Sequence, residues 1–332
     1  MVNYANVVSI GLAMISIMLI GYMCGKFKIM TKEGAAVLNR YVYRVCFLPV
    51  LARMLASKKF KEINFYPLAV ATLVAVCVIL MLTIIFVLPV KDKLNTYITC
   101  LMPVCYINYV ISGIPIFQTI WDPNESSVVS IMTLANDLLT NPTYITLSAI
   151  WSIGFENQER LQNGEIPKKF GWPEVKNVLI RIVTSPILLG NAAGLIYSAT
   201  GLPMPTFVAE FLKLGGDVVL PMSLFCFGVF LSHHTLVACG WIKFISCLAI
   251  RHLISPAWAV LWCYVLKLPG KLSRQCVIMT AQPTAAVAYL LAESTGLGQG
   301  IASTMVFWTT IICIPAILFW LWLFDITGLF KE

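Results

Sequence analysis

Tyr106-Ile107-Asn108-Tyr109-Val110-Ile111-Ser112-Gly113-Ile114-Pro115 lies in the middle of an otherwise apolar segment running from about Thr96 to Ile120. A helix inside lipid has no water to take up freed backbone N–H and C=O groups, so sequence that interrupts one needs a reason. Here Gly113 and Pro115 weaken or kink the helix, proline by ~3 kcal/mol in a helix interior. Asn108 and Ser112 add polar groups at the same depth. A second interruption, Thr280-Ala281-Gln282-Pro283-Thr284, stands near the far end of the chain. Two interrupted apolar segments in matching places of two halves point to the substrate site of a secondary transporter.

The surrounding sequence agrees with an all-α polytopic membrane protein. Of 332 residues, 59% are hydrophobic and 11% charged, and the mean hydropathy is +0.85. At about 20 apolar residues per span, the chain divides into about ten spans. The longest polar stretch, Phe155 to Lys176, is too short to fold alone. The net charge of +8 comes mostly from Lys and Arg at the membrane edges, the pattern of interfacial anchoring rather than of nucleic-acid binding. The cysteines sit singly in apolar runs, with no CxxC, and behave as small hydrophobes. Met1 to Asn6 lacks a positive n-region, so the first apolar run is expected to be a retained helix.

In chain order the expected spans are about Ala5–Cys24, Val37–Ala56, Phe65–Leu88, Thr96–Ile120, Val128–Ser152, Val178–Thr200, Leu214–Ser232, Trp241–Leu266, a span broken at Pro283, and Gly300–Phe324. Arg40 and Arg44 lie one turn apart in the second; both snorkel to the headgroups, or Arg44 faces an internal cavity. The fifth carries Asn136, Asp137, Asn141 and Pro142. A carboxylate at that depth costs ~2.5–3.5 kcal/mol, so Asp137 faces protein or water. It is a coupling candidate together with Asn141 and Arg251, the alternative being a plain inter-helix hydrogen bond or a pair with Arg251.

The halves resemble each other. Leu19-Ile20-Gly21 with Gly25 matches Leu188-Leu189-Gly190 with Gly194, Leu48-Pro49 matches Leu220-Pro221, and Pro115 pairs with Pro283 as breaker of the fourth and ninth spans. A duplicated five-helix unit follows, residues 1–153 and 177–332 joined by a short cytoplasmic connection, 154–176. Five being odd, the second copy is inverted. The distribution of Lys and Arg favours both termini outside, with the Asn124-Glu125-Ser126 sequon on that side.

Half-helix ends crossing at mid-membrane offer an anion site without a buried counter-charge. Asn108 supplies a donor there, with Tyr109, Ser112, Gln282, Pro283 and Thr284 around it. His233, His234 and Cys239 lack the further spaced ligands of a metal site, and no hydrolase or intramembrane-protease motif is complete. No cofactor and no enzyme activity are expected.

Several stretches resemble the auxin efflux carrier family: Leu214-Gly215-Gly216-Asp217 through Pro221 to Gly228, Asn108 followed by Gly113-Ile114-Pro115, Ala281-Gln282-Pro283 followed by Leu290-Leu291-Ala292-Glu293, and Gly201-Leu202-Pro203-Met204-Pro205. The resemblance implies an NhaA-like, bile-acid-transporter-like fold. Spans one, two, six and seven would form a scaffold carrying Asp217, Pro221 and Gly228; the remainder would form a transport domain in which spans four and nine cross. It also implies elevator-type movement of a small organic anion, often by a homodimer, with Asn108 binding a carboxylate and Pro283 at the crossing. The chain departs from the family at Ile107, where plant members have proline, and at Val287, where bacterial members often have asparagine. A membrane-embedded lipid or sterol sensor using the same pocket is the alternative.

Overall fold

The computed structural model describes residues 3–233 and 235–331. It is all-helical, and among the described residues the sole β-type pairing is one isolated bridge. The helices are α1 (Tyr4–Lys26), α2 (Lys32–Ala56), α3 (Tyr66–Phe86), α4 (Lys93–Cys105), α5 (Tyr109–Ile120), α6 (127–162), α7 (Trp172–Val183), α8 (Pro186–Thr200), α9 (Thr206–Ser232), α10 (Trp241–Val265), α11 (Gly270–Thr280), α12 (Val287–Thr295) and α13 (Gln299–Thr327). Six of them, α1, α2, α3, α9, α10 and α13, are long and apolar enough to cross a membrane, and α7 with α8 makes up to seven.

The interruption expected at Pro115 falls earlier, at Tyr106–Asn108, between α4 and α5; that expected at Pro283 separates α11 from α12. The apolar run expected as one helix over Val178–Thr200 is bent by 51° between α7 and α8. Its cause is local: Pro186 takes the first helical position of α8, and the Ser185 hydroxyl accepts from the Ile187 amide at 3.2 Å. The polar connection is shorter than its composition suggests, because α6 continues to Gln162 and α7 begins at Trp172.

Four prolines within the spans, Pro115 among them as the expected breaker, are each preceded by a π-turn. Val42–Cys46 precedes Pro49, Tyr109–Gly113 precedes Pro115, Asn136–Thr140 precedes Pro142 and Ile250–Ile254 precedes Pro256. Proline removes one donor and drives its ring against the carbonyl four residues back. Shifting to i→i+5 bonding widens the helix there and lets it continue. Thus α2 runs unbroken through Leu48-Pro49.

Glycines set the closest helix contacts. A Cβ on Gly21 would land on the Phe225 carbonyl, and one on Gly228 on the Met18 carbonyl, so α1 and α9 touch backbone to backbone. Gly190 and Gly194 bring α8 close to α2, where a Cβ would meet the Leu48 and Ala52 carbonyls at 2.9 and 2.7 Å. Asp217 at 3.6 Å from Arg53 adds a tie between α9 and α2, and Pro221 is exposed. Arg44 lies on the outside of α2, away from the cavities described below.

Candidate functional site

The two interruptions meet. Ile107 and Thr284 form the antiparallel bridge, the Asn108 amide donates to the Pro283 carbonyl at 2.8 Å, and the Ala285 amide donates to the Tyr106 carbonyl at 3.1 Å. Each extended segment therefore supplies the backbone partner that the other lost on leaving its helix. What remains is met by side chains. Asn136 accepts from the Ile107 amide at 3.3 Å and donates to the Ile107 carbonyl at 2.7 Å. The Thr284 amide donates to Thr309 Oγ1 at 3.0 Å, and its hydroxyl donates to the Pro103 carbonyl at 2.5 Å.

The C-terminal ends of α4 and α11 converge on one guanidinium. Arg251, buried to 1% exposure, donates through Nη1 to the Val104 carbonyl at 2.7 Å and through Nη2 to the Thr280 carbonyl. Its neighbour His252 meets the Ala281 carbonyl through Nδ1 at 3.2 Å. Helix C-termini carry partial negative charge and unpaired carbonyls, so a planar, permanently charged fork suits a place where two of them come together. Here the cation is the protein's own.

On the other side of the crossing the N-terminal ends of α5 and α12 face a cavity of about 870 Å³, its open mouth included. Asn108, Ser112 and Thr284 lie at its floor, Lys32 and Glu293 at its mouth, 3.8 Å apart, and apolar side chains such as Phe227 and Phe230 form its walls. Asn108 Oδ1 accepts from the Ile111 amide at 3.2 Å, capping α5. The amide NH₂ is therefore what this side chain has left to offer a ligand. The Ser112 hydroxyl is turned to the Asn108 carbonyl at 2.8 Å.

The residues anticipated from sequence are divided by this geometry. Asn108, Ser112 and Thr284 line the cavity. Tyr109 is buried behind the turn, with Arg251 and Asn136 around a smaller void. Gln282 is fully buried, bonded to the Ile278 carbonyl at 3.3 Å and accepting from the Cys313 thiol at 3.7 Å, while Pro283 packs against a separate small void lined by Met14 and Ile314. Gly113 is buried within the turn, and Pro115 opens onto a different cavity.

Asp137 does not pair with Arg251. Its carboxylate, 1% exposed, accepts from the Tyr106 hydroxyl at 3.0 Å and from the Ser185 hydroxyl at the α7–α8 bend. Asn141, one turn on, leaves its Oδ1 without a partner. His233 Nδ1 lies 2.8 Å from Ser232 Oγ, His234 falls outside the described residues, and no cluster of metal-ligating side chains occurs among the described residues. Lys32, Asn39, Tyr289 and Glu293 were missed as cavity residues, and Thr309 as a support. Asn136 was visible as a polar residue at depth, but its partner is main chain and leaves no trace in sequence.

Comparison with known proteins gives the arrangement its context. Auxin efflux carrier component 8 of Arabidopsis thaliana is 24% identical over 152 residues, 46% of this chain and 41% of that protein. Probable auxin efflux carrier component 5b of Oryza sativa subsp. japonica is 22% identical over 152 residues, 44% and 41% respectively. Auxin efflux carrier component 1 of Arabidopsis thaliana is 27% identical over 129 residues, 39% and 21%. The chain thus spans about two fifths or less of the length of these relatives. The model of the family described as "Membrane transport protein" matches residues 7–321, nearly the whole chain, and this multi-pass membrane protein therefore belongs to that transporter family, the family of the auxin efflux carriers.

Proposed function

We propose that the chain is a secondary carrier or uniporter for a small organic anion, bound at the floor of the cavity beside Asn108. The observation that carries this reading is the pairing of residues 106–108 with 283–285, which leaves the Asn108 side-chain NH₂ and two helix N-termini facing one cavity. Amide donors and helix N-termini favour a carboxylate without needing a full buried counter-charge.

Counting α4 with α5, α7 with α8, α11 with α12, and α6 as one, the chain makes ten spans in two inverted sets of five. The reciprocal glycine contacts, α1 on α9 and α8 on α2, support that symmetry. These four helices form the static frame, and the rest carries the anion across by an elevator-type movement. Both termini lie on the non-cytoplasmic side. Asp137, tied through the Tyr106 hydroxyl to the crossing, couples movement to protons.

The test is uptake into proteoliposomes across a panel of small carboxylates, aromatic acids and amphipathic anions. Saturable flux that Asn108→Ala loses is expected, with a pH dependence that Asp137→Asn flattens. The largely apolar walls at Phe227, Phe230, Leu224 and Val306 favour a second reading, a lipid or sterol sensor. Ligand binding without net flux for any solute would replace the carrier reading with that one.

A further inference from the structure

The turn Tyr109–Gly113 has a cavity on each side. Asn108, Ile111 and Ser112 face the one described above. Val110, Ile114 and Pro115 line another, of about 1250 Å³ with its mouth, between α2, α9 and the Pro123–Glu125 turn. Between the two stands an apolar partition of Val110, Ile114 and Val219, part of a buried cluster with Phe47 and Leu51. The two cavities lie back to back across one helical turn.

The second cavity has a charge of its own. Arg53 and Lys213 line it together with a single acid, Asp217. Arg53 Nη1 lies 3.6 Å from Asp217 Oδ1, so these two offset each other. Lys213, one turn before Asp217 on α9, has no carboxylate within salt-bridge distance among the described residues. Two cations and one anion leave one positive charge in the lining, and Gln118 and Asn124 add neutral donors. An apolar partition on one side and open water on the other concentrate the field of that charge in the cavity.

We propose that this cavity is a second binding site for the carboxylate of the transported anion, held at Lys213 on the far side of the Tyr109–Gly113 turn from Asn108. The proposal rests on the carrier reading for its ligand. One unpaired, exposed ammonium makes a weak site, which is what a release station needs: strong enough to draw the anion over, weak enough to let it go.

The test uses the full chain in phosphatidylcholine nanodiscs, with Ser57→Cys placing a thiol in the lining of this cavity. Its modification rate is measured with an anionic sulfonatoethyl methanethiosulfonate and a cationic trimethylammonium analogue, corrected for the parent chain's own cysteines. The anionic reagent is expected to react roughly tenfold faster than the cationic one. Lys213→Gln should bring the two near parity, Lys213→Arg should preserve the ratio, and benzoate should slow the anionic reagent in the parent and in Asn108→Asp but not in Lys213→Gln. A ratio indifferent to Lys213→Gln, or protection lost in Asn108→Asp and kept in Lys213→Gln, would overturn the proposal. Loss of benzoate protection on adding phosphatidylglycerol would assign the cavity to a lipid headgroup and overturn it too. Protection that persists in protein without measurable flux would retain the site and remove the carrier reading instead.

Discussion

The side chain of Asn136 pairs with the backbone of Ile107 through both of its polar groups, Oδ1 accepting from the amide at 3.3 Å and Nδ2 donating to the carbonyl at 2.7 Å. It occupies the place of a neighbouring β-strand beside a segment that has only one. Asn136→Leu is expected to leave a buried N–H and a buried C=O unpaired, at roughly 1–3 kcal/mol each. Asn136→Asp keeps the acceptor but sets a buried carboxylate against the Ile107 carbonyl, and should be at least as destabilising. Unfolding midpoints in detergent for the three proteins check the order.

Arg251 holds the ends of α4 and α11 together, so its loss should act on both. Arg251→Gln is expected to destabilise by on the order of 2 kcal/mol for each helix end. Lysine has the charge without the fork and cannot satisfy two carbonyls set apart by a guanidinium's width. Arg251→Lys should therefore recover part of the loss. Equal stability of all three proteins would remove the clamp from the account.

Asn108 separates capping from ligand binding within one side chain. Asn108→Asp retains the oxygen that caps α5 and replaces the amide NH₂ with negative charge facing the cavity. The expected outcome is a folded protein with wild-type thermal stability and no saturable anion uptake. Asn108→Ala loses both functions, with a stability cost of about 0.5–2 kcal/mol from the missing cap.

Glycine positions divide sharply. Gly228→Ala would place a methyl on the Met18 carbonyl and 2.8 Å from the Tyr22 amide nitrogen, neither of which is a flexible side chain. Loss of monodisperse protein on size-exclusion chromatography is expected. At Gly154, on α6, nothing lies within 4 Å of the same methyl. Gly154→Ala should raise stability by roughly 0.5–1 kcal/mol, as glycine in a helix interior costs about that much.

What was legible in the sequence is what side chains announce. Asn108 and Ser112 beside Gly113 and Pro115 in an apolar run betray a break, and Asp137 betrays a buried acid. The partner of each break was not legible to the residue, because the pairing of 106–108 with 283–285 is made by main-chain atoms that every residue carries. Arg251 was visible as an intramembrane charge, yet its acceptors are carbonyls, so the sequence suggested a pair with Asp137 and gave no sign of the helix clamp. The prolines were visible and their accommodation was not: a π-turn needs no particular residue, only one more in the ladder. Ser185-Pro186 did carry its signal, since the residue before proline avoids helical backbone, but continuous hydropathy over Val178–Thr200 concealed it.

The joint at 106–108 and 283–285 is closed by backbone hydrogen bonds, while the aromatic side chains that wall the cavity take no part in it. Inheritance of the frame and choice of cargo are thereby uncoupled. Substitutions at Phe227, Phe230 or Tyr289 are expected to reshape what fits without touching a bond that holds the crossing.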